Sequence, residues 1–208
     1  MHPLLSELNQ LGFSLDAGIL AGGLSTRMNG LDKGLQALHN TPLIEASLKA
    51  LQPFAADEQV MISCNRNEDK YQHFSPRTYA DIFSGYLGPL AGIHALLSHS
   101  QADYLLVCPC DTPFITRQIP ETLLKQLITS LKAQPAHRPL IAAKEQDKLH
   151  PLHTCIPRTT LPSLTHALHA KHSKVIKWLE SQQIEWVDFA NTGERLDNIN
   201  TPEQLPKL

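Results

Sequence analysis

The chain is poor in the features that mark disulfide-rich, membrane and exported proteins. Its 208 residues include four cysteines, none in a C-x-x-C pair, so neither a disulfide framework nor a zinc site is expected. No apolar run approaches the roughly 20 residues that span a bilayer. Residues 1–16 carry Glu7 and Asp16 instead of the basic and then apolar segments of an export signal. We therefore expect a cytoplasmic protein with no membrane partner.

An excess of charge is also lacking. Lysine and arginine number 18 against 20 aspartates and glutamates, which gives a formal net charge of -2. Proteins that bind nucleic acids normally carry a basic excess that neutralises phosphates, so no nucleic-acid partner is expected. Hydrophobic residues make up 42% of the chain and charged residues 18%, which is typical of a folded globular protein. The length suits one domain, residues 1–208.

Two common phosphate-binding motifs, G-x-x-x-x-G-K-[ST] and G-x-G-x-x-G, are absent, but another glycine-rich segment is present. A short apolar run over residues 17–20 leads into Gly22-Gly23, as when a buried strand opens into a loop. Adjacent glycines let backbone N–H groups approach an anion, and Arg27 and Lys33 add two cations. The segment is predicted to bind phosphate, although a tight turn with solvated cations gives the same pattern.

Strand-like and helix-like patterns alternate along the chain. Strands are predicted at residues 17–20, 60–63, 78–80, 104–108, 140–143 and 184–187, and a hairpin at 144–155. Helices are predicted from Thr41-Pro42, within 67–74, from Gly88-Pro89, within 119–131, within 174–179 and after Pro202. The run 104–108 is continuously apolar, as in a central strand covered on both faces. This alternation predicts an α/β fold with a mainly parallel sheet, which binds ligands at its carboxyl edge.

Several short motifs occur in a distinctive order. A-G-G-x-S-x-R-M and then D-K occupy residues 21–33. They are followed by Asn65-Arg66, Asp81, Gly88-Pro89-Leu90-Ala91-Gly92, Cys108-Pro109-Cys110-Asp111-Thr112-Pro113, His150-Pro151 and Asn198-Ile199-Asn200-Thr201-Pro202. From about residue 17 to the end, the chain thereby resembles nucleotidyltransferases that make molybdenum cofactor dinucleotides, and in particular the bacterial molybdenum cofactor guanylyltransferases.

The resemblance implies a fold, a reaction and partners. The fold would be a Rossmann-like three-layer sandwich with a mainly parallel, mixed sheet, similar to that of nucleotide-diphospho-sugar transferases. Residues 17–111 would form a nucleotide-binding half and residues 112–208 a pterin-substrate half. The terminal phosphate of molybdenum-molybdopterin would attack the α-phosphorus of GTP, releasing pyrophosphate and forming molybdopterin guanine dinucleotide. Mg²⁺ would assist, and molybdopterin-synthesis proteins and molybdoenzyme chaperones would be protein partners.

The resemblance also assigns roles to residues. Asp111 is the predicted Mg²⁺ ligand, although an aspartate in Asp-Thr-Pro also suits a helix N-cap. Lys33 and Arg27 would bind the β- and γ-phosphates and stabilise the departing pyrophosphate, or else be solvated cations. The other predicted binding residues are Leu20, Ala21, Gly22, Gly23, Ser25, Ser63, Asp81, Gly88, Asn198 and Asn200.

Three of these assignments concern specificity. Asp81 would accept hydrogen bonds from guanine or contact the ribose, unless it is a turn residue. Ser63 stands where the family carries an asparagine at the base pocket. Asn198 and Asn200 would face the pterin, because residues two apart in an extended segment share a face, although turn asparagines would fit equally.

The sequence departs from the family pattern in two further places. Asn29-Gly30 replaces a glycine pair, and Leu149 precedes His150 where the family has an acidic residue. Two alternative functions stay open: a cytidylyltransferase acting on the same pterin or on a sugar or alcohol phosphate, and a non-catalytic protein that binds a nucleotide or molybdopterin.

The chain also contains cysteines and histidines, the usual ligands of soft and transition metal ions. Cys108 and Cys110 would lie on one side of a strand and suit a soft ion, but a buried structural pair is the favoured interpretation. Several histidines are spread over helical segments without a repeating pair, so solvated or capping roles are expected. These are His94, His99, His166, His169 and His172.

Overall fold

The structure is a computed structural model that describes residues 2–23, 31–85, 87–172 and 174–199. The strands in these ranges are β1 (Leu15–Leu20), β2 (Ala37–Leu38), β3 (Thr41–Pro42), β4 (Met61–Ser63), β5 (Thr78–Tyr79), β6 (Tyr104–Pro109), β7 (Leu140–Glu145), β8 (Lys148–Pro157) and β9 (Ile184–Asp188). The helices are α1 (Pro3–Gln10), α2 (Ile44–Leu51), α3 (Glu68–Tyr71), α4 (Pro89–His99), α5 (Gln118–Ala133), α6 (Leu161–His169) and α7 (Val175–Glu180).

A seven-stranded mixed sheet runs through the molecule in the order β5-β4-β1-β6-β8-β7-β9. β5, β4, β1 and β6 pair in parallel, and β9 pairs in parallel with β7. β8 is antiparallel to both of its neighbours. The predicted α/β fold with a mainly parallel sheet is therefore confirmed, and β7 and β8 form the predicted hairpin.

Helices cover both faces of the sheet, which makes three layers. α1, α2 and α5 supply buried residues to one apolar cluster, and α4, α6 and α7 supply them to a second. Successive residues of β6 alternate between the two: Leu106 and Cys108 belong to the first cluster, and Leu105 and Val107 to the second. Because successive side chains of a strand point to opposite faces, a strand covered on both faces is apolar throughout, as predicted for residues 104–108.

The second helix begins later than predicted. Thr41–Pro42 forms β3, an antiparallel partner of β2, and α2 starts at Ile44 without a side-chain cap. His39 and Asn40, between the two strands, have φ of 49° and 66°. Positive φ at both central residues is typical of a two-residue hairpin turn, which here takes Thr41 away from the capping position. The prediction of Thr41-Pro42 as a helix start was wrong.

Two helices were not predicted, and one predicted helix lies outside the described residues. α1 buries one residue, Leu8, and α6 buries three, Leu164, Ala167 and Leu168, so the apolar pattern of each helix is weak in the sequence. The predicted helix after Pro202 falls in residues 200–208, which the structure does not describe. No helix in the described ranges combines the length and apolar character needed to cross a membrane.

Candidate active site

The ends of three adjacent parallel strands form the floor of the candidate site. Leu20, the last residue of β1, is in register with Ser63 at the end of β4 and with Pro109 at the end of β6. Backbone hydrogen bonds continue one residue further, from Ala21 N to Ser63 O at 2.8 Å and from Cys110 N to Leu20 O at 3.1 Å. The segments that begin with Gly22, Cys64 and Asp111 therefore leave the sheet at one edge.

Three residues from distant parts of the chain meet at the end of β6. Lys33 Nζ pairs with Asp111 Oδ2, and the two side chains are 17% and 14% exposed. Asn198 Nδ2 donates to Asp111 Oδ1 at 2.9 Å, and Ile199 N donates to the Asp111 carbonyl at 2.9 Å. The Asp111 carboxylate thus holds a cation and an amide at the carboxyl edge of the sheet.

Lys33 is positioned by Asp32, whose role the sequence analysis did not identify. The buried Asp32 carboxylate accepts hydrogen bonds from the Tyr71 hydroxyl at Oδ1 and from Asn67 Nδ2 at 3.0 Å. Burial raises the pKa of Tyr71, so its hydroxyl stays protonated and donates. The D-K pair in the sequence could have indicated this role, because an acidic residue next to a functional lysine can fix the backbone that carries the lysine.

Gly34 permits the close contact between this loop and the end of β6. A Cβ atom at Gly34 would lie 2.7 Å from the Tyr71 hydroxyl oxygen and 3.3 Å from Cys110 Sγ. Both neighbours are held in the core, because Tyr71 and Cys110 are buried. Any larger residue at this position would push the Lys33 segment away from Asp111.

Asn65 links the glycine loop to Asp81. Its Nδ2 donates to the Gly22 carbonyl at 3.2 Å and to Asp81 Oδ2 at 2.8 Å, and its Oδ1 accepts from Asp81 N at 2.9 Å. Burial raises the pKa of Asp81, while the hydrogen bond from Asn65 acts in the opposite direction. Asp81 Oδ1 is buried and finds no partner among the described residues, so it is an acceptor available to a ligand.

Ser63 and Gly88, both predicted to bind nucleotide, occupy different environments. Ser63 is fully buried, and its Oγ, without a partner in the described ranges, lies 2.7 Å from where a Cβ at Gly92 would be. Gly88 is exposed, has a φ of 77° and precedes the first residue of α4. Its conformation is one that L side chains rarely adopt, which explains a glycine at this position.

A buried histidine, His153, lies beside the residue that follows Asp111, and a second buried histidine, His150, lies near it with a ring-centre distance of 6.1 Å. His153 Nε2 lies 3.3 Å from Thr112 Oγ1, which itself donates to the Pro109 carbonyl, so we assign the ring proton to Nε2. Burial lowers the pKa of His153 to about 3, which keeps the ring neutral. His150 Nε2 lies 2.7 Å from Glu145 Oε2, yet burial also lowers the pKa of His150. The His150-Pro151 motif was recognised in the sequence, whereas no sequence pattern indicated His153.

Comparisons with known proteins agree with this geometry. Residues 17–185 match the MobA-like NTP transferase domain family. The molybdenum cofactor guanylyltransferase of Shewanella sp. (strain MR-4) is 34% identical over 198 residues, which cover 95% of this chain and 96% of that protein. The chain belongs to the molybdenum cofactor guanylyltransferase family. The resemblance, the nucleotidyltransferase class and the biosynthetic role predicted from the motifs are thereby confirmed.

Solved structures show the same fold. Molybdopterin-guanine dinucleotide biosynthesis protein A from Archaeoglobus fulgidus superposes with a TM-score of 0.71 at 26% identity, covering 92% of this chain and 95% of that one. CMP:2-keto-3-deoxy-manno-octonic acid synthetase, solved with CTP, gives a TM-score of 0.68 at 18% identity over 93% of this chain and 96% of its own. The second likeness concerns the fold alone, and it shows that the fold serves guanylyltransferases and a cytidine-nucleotide enzyme alike.

The family's predicted site residues fall into two groups in the structure. Lys33 and Asn198 both contact Asp111, while Gly22 and Asp81 are joined through Asn65. Ser25, Arg27 and Asn200 lie outside the described residues. Asp111 is not a helix N-cap, because α5 begins at Gln118. The buried Cys108 and Cys110 pack in the apolar cluster beneath the site, and His94 is buried against Thr165 instead of solvated.

The residues near Asp111 fit a weakly held Mg²⁺ ion. The described residues contain no cluster of three or more metal-binding side chains, so a protein cage is not available there. Mg²⁺ usually retains water and binds one or two carboxylates together with substrate phosphates. Asp111 supplies one such carboxylate, and each of its oxygens has a lone pair beyond the one used by Lys33 or Asn198.

Proposed function

We propose that this family member transfers GMP from GTP to the terminal phosphate of molybdenum-molybdopterin. A bond forms between an oxygen of that phosphate and the α-phosphorus of GTP, and the bond from the α-phosphorus to the bridging oxygen of the β-phosphate breaks. Pyrophosphate leaves, and molybdopterin guanine dinucleotide remains. The observation that carries the proposal is the meeting of Lys33, Asp111 and Asn198 at the end of β6, next to the glycine loop.

Lys33 is proposed to bind the phosphates that leave. Its ammonium group is already at the carboxyl edge, where the contact with Asp111 holds it until substrate arrives. Negative charge grows on the departing pyrophosphate, so a cation placed there favours the transition state over the ground state. Arg27, predicted as a second cation, lies outside the described residues and would assist Lys33 in binding the phosphates that leave.

Asp111 is proposed to hold Mg²⁺ together with the nucleotide phosphates. When bound, the ion supplies charge neutralisation and alignment of the reacting phosphates. Asn198 keeps the carboxylate oriented through its bond to Oδ1, and this bond leaves the second oxygen facing Lys33. The protein's own contribution to the reaction would therefore be the oriented carboxylate of Asp111 and the ammonium group of Lys33, which would move to the phosphates.

Asp81 is proposed to recognise the base. Asn65 Nδ2 donates to Oδ2 of the carboxylate, and the Asp81 backbone N–H donates to Asn65 Oδ1. Oδ1 of Asp81 is buried with no partner among the described residues. Guanine presents an N–H and an amino group side by side, whereas adenine and cytosine do not present that pair. Asn198 and Asn200 are proposed to lie toward the pterin, because amide groups can donate to phosphate or accept from ring N–H groups without adding charge.

One experiment separates the candidate functions. The protein is incubated with molybdenum-molybdopterin, Mg²⁺ and each of the four nucleoside triphosphates, and released pyrophosphate is measured. Release with GTP and formation of the guanine dinucleotide support the proposal. Faster release with CTP would make the protein a cytidylyltransferase, and GTP binding without pyrophosphate would indicate a non-catalytic carrier.

A further inference from the structure

A cavity lies at the opposite edge of the sheet from the candidate active site. It has a volume of about 230 Å³, and the residues that matter here are Phe13, Asp103, Tyr104, Arg138, Pro157 and Arg158. Tyr104 is the first residue of β6, whose other end leads to Asp111. At about 3.3 Å per residue, the cavity is roughly 20 Å from the Asp111 carboxylate. It is therefore a separate site.

Two arginines line the cavity, and neither pairs with a carboxylate within 4 Å in the described ranges. Arg138 Nη1 donates to the carbonyls of Pro135 at 2.6 Å and His137 at 2.7 Å. Its guanidinium carbon lies 4.4 Å from the centre of the Phe13 ring. These contacts hold the guanidinium group through Nη1 and the ring face, and no hydrogen bond of its other nitrogens is found in the described part of the chain. A guanidinium held in this way is well suited to bind an oxyanion.

Arg158 and Tyr104 contribute donors that lack acceptors. Arg158 Nε is buried and has no hydrogen-bond partner among the described residues, although its backbone N–H donates to the Asp103 carbonyl at 2.8 Å. Tyr104 is fully buried, and its hydroxyl group likewise has no partner there. Burial raises the pKa of Tyr104, and the charge of nearby Arg138 opposes that change. Buried donors without acceptors are unfavourable, so two of them at one cavity indicate a missing acceptor.

The charge balance at the cavity is positive. Asp103 is the acidic side chain that lines it, and its Oδ2 accepts from Ser14 N at 2.8 Å and from Ser14 Oγ at 2.7 Å. Although burial acts to raise the pKa of Asp103, the bonds from Ser14 lower it, so the group is a carboxylate at neutral pH. Glu185, which faces the same region, is engaged by Ser130 and Gln126. Among the residues that line the cavity, two guanidinium groups therefore face one carboxylate, and Oδ2 of that carboxylate is occupied by Ser14.

We propose that this cavity binds a small oxyanion, a phosphate or a carboxylate group, through Arg138, Arg158 and the Tyr104 hydroxyl. The volume is below the roughly 300 to 1,000 Å³ of pockets for drug-sized ligands, which favours a compact anion. Phe13 and Pro157 supply an apolar wall for a small organic body attached to the charged group. The proposal does not depend on the identity of the nucleotide or of the pterin substrate.

The test is an NMR titration of ¹⁵N-labelled protein with inorganic phosphate and, separately, with acetate. It is done on the Lys33→Ala variant, so that phosphate binding at the nucleotide site is weakened. The backbone amides of Asp103, Tyr104 and Arg158 should shift and reach saturation with at least one of the two anions. The anion with the lower Kd identifies the group that the site prefers.

Variants decide whether the cavity is responsible. Arg158→Gln should weaken binding at least tenfold, and Tyr104→Phe should weaken it while leaving the spectrum of a folded protein. Lys132→Gln removes one positive charge from an exposed side chain of α5 and should leave the Kd unchanged. Shifts that stay linear, shifts confined to Gly22 and Asp111, or an unchanged Kd in both Arg158→Gln and Tyr104→Phe would overturn the proposal.

Discussion

Asn198 donates its side-chain amide to the Asp111 carboxylate at 2.9 Å across 87 residues of sequence. The next residue, Ile199, donates its backbone N–H to the Asp111 carbonyl, so the last described segment is bonded to the end of β6 at two points. Lys33 reaches the same carboxylate from the loop after β1. Asp111 therefore joins three segments that are far apart in the sequence.

Asp111→Asn should abolish most turnover while the protein stays folded. Asparagine keeps the size of the side chain and an oxygen for the Asn198 amide, but it removes the charge that would attract Mg²⁺. Pyrophosphate release at saturating Mg²⁺ should fall by a factor of ~10² or more, and the Tm should change by only a few degrees. Asp57→Asn, at an exposed turn, is the control with normal turnover. Near-normal release by folded Asp111→Asn would remove this residue from the mechanism.

Lys33→Ala should reduce kcat more than it raises the KM for GTP. The ammonium group is proposed to act on charge that develops as pyrophosphate leaves, and such contacts contribute on the order of 10²-fold. Steady-state kinetics of pyrophosphate release provide the measurement. Lys49→Ala removes a lysine that is 71% exposed and pairs with Glu45 on α2, so the variant should behave as the unmodified protein. A raised KM with unchanged kcat would limit Lys33 to ground-state binding.

Gly34→Ala should destabilise the protein and reduce turnover together. The new Cβ would meet the Tyr71 hydroxyl at 2.7 Å and Cys110 Sγ at 3.3 Å, so one of these buried groups must move. Overpacking of this kind costs about 1 to 3 kcal/mol. Urea unfolding gives the free energy of unfolding. Gly23→Ala, where a Cβ meets nothing within 4 Å, is the control for stability alone. Equal stability of the two variants would show that the loop can shift freely.

Asp81→Asn should weaken the preference for GTP. The carboxylate is proposed to accept from two guanine donors, and the asparagine amide loses the negative charge and one of the two acceptor oxygens. The value of kcat/KM for GTP should therefore fall roughly tenfold or more. Values for ATP and CTP should change little, and the ratio between nucleotides is the quantity to compare. Asp69→Asn, on an exposed residue of α3, serves as the matched control. An equal loss for all nucleotides would assign Asp81 to the ribose or to the fold.

Acid should destabilise the protein through His153. Its pKa is lowered from 6.5 to about 3 in the folded state, so between these values the unfolded chain binds a proton that the folded protein does not. The free energy of unfolding therefore falls as the pH drops below about 6.5, by about 2 kcal/mol between pH 7 and pH 5 for this group.

His153→Gln tests that contribution, because the glutamine amide can still donate to Thr112 Oγ1. Urea unfolding at pH 7 and pH 5 should show a smaller loss of stability for the variant. His150, whose pKa is also lowered, acts in the same direction and persists in the variant, so some pH dependence should remain. An identical loss in both proteins would contradict the neutral state assigned to His153.

Local sequence determined the elements that lead into the site. A continuous apolar run predicts β6, and a short apolar run followed by two glycines predicts β1 and its loop, because burial and turn formation depend on neighbouring residues. The D-K motif likewise located Lys33 in the segment that follows β1, and the C-P-C-D-T-P motif located Asp111 just after β6. The pattern Thr41-Pro42 is compatible with a helix start and with a short strand. The hairpin turn at His39 and Asn40 places these two residues in β3, so the strand forms.

Tertiary structure alone decided which of these residues touch. Asn198 bonds to Asp111, and Tyr71 bonds to Asp32. The partners in each pair are far apart in the sequence, and their positions along the chain do not reveal that they are close in space. The placement of β8 against β6 put His153 under Thr112, and burial there lowered its pKa. The cavity at the opposite edge arises in the same way, since Arg138 and Arg158 lie on separate segments. Such contacts depend on how strands pair and helices cover them, a property of the whole fold that no short pattern encodes.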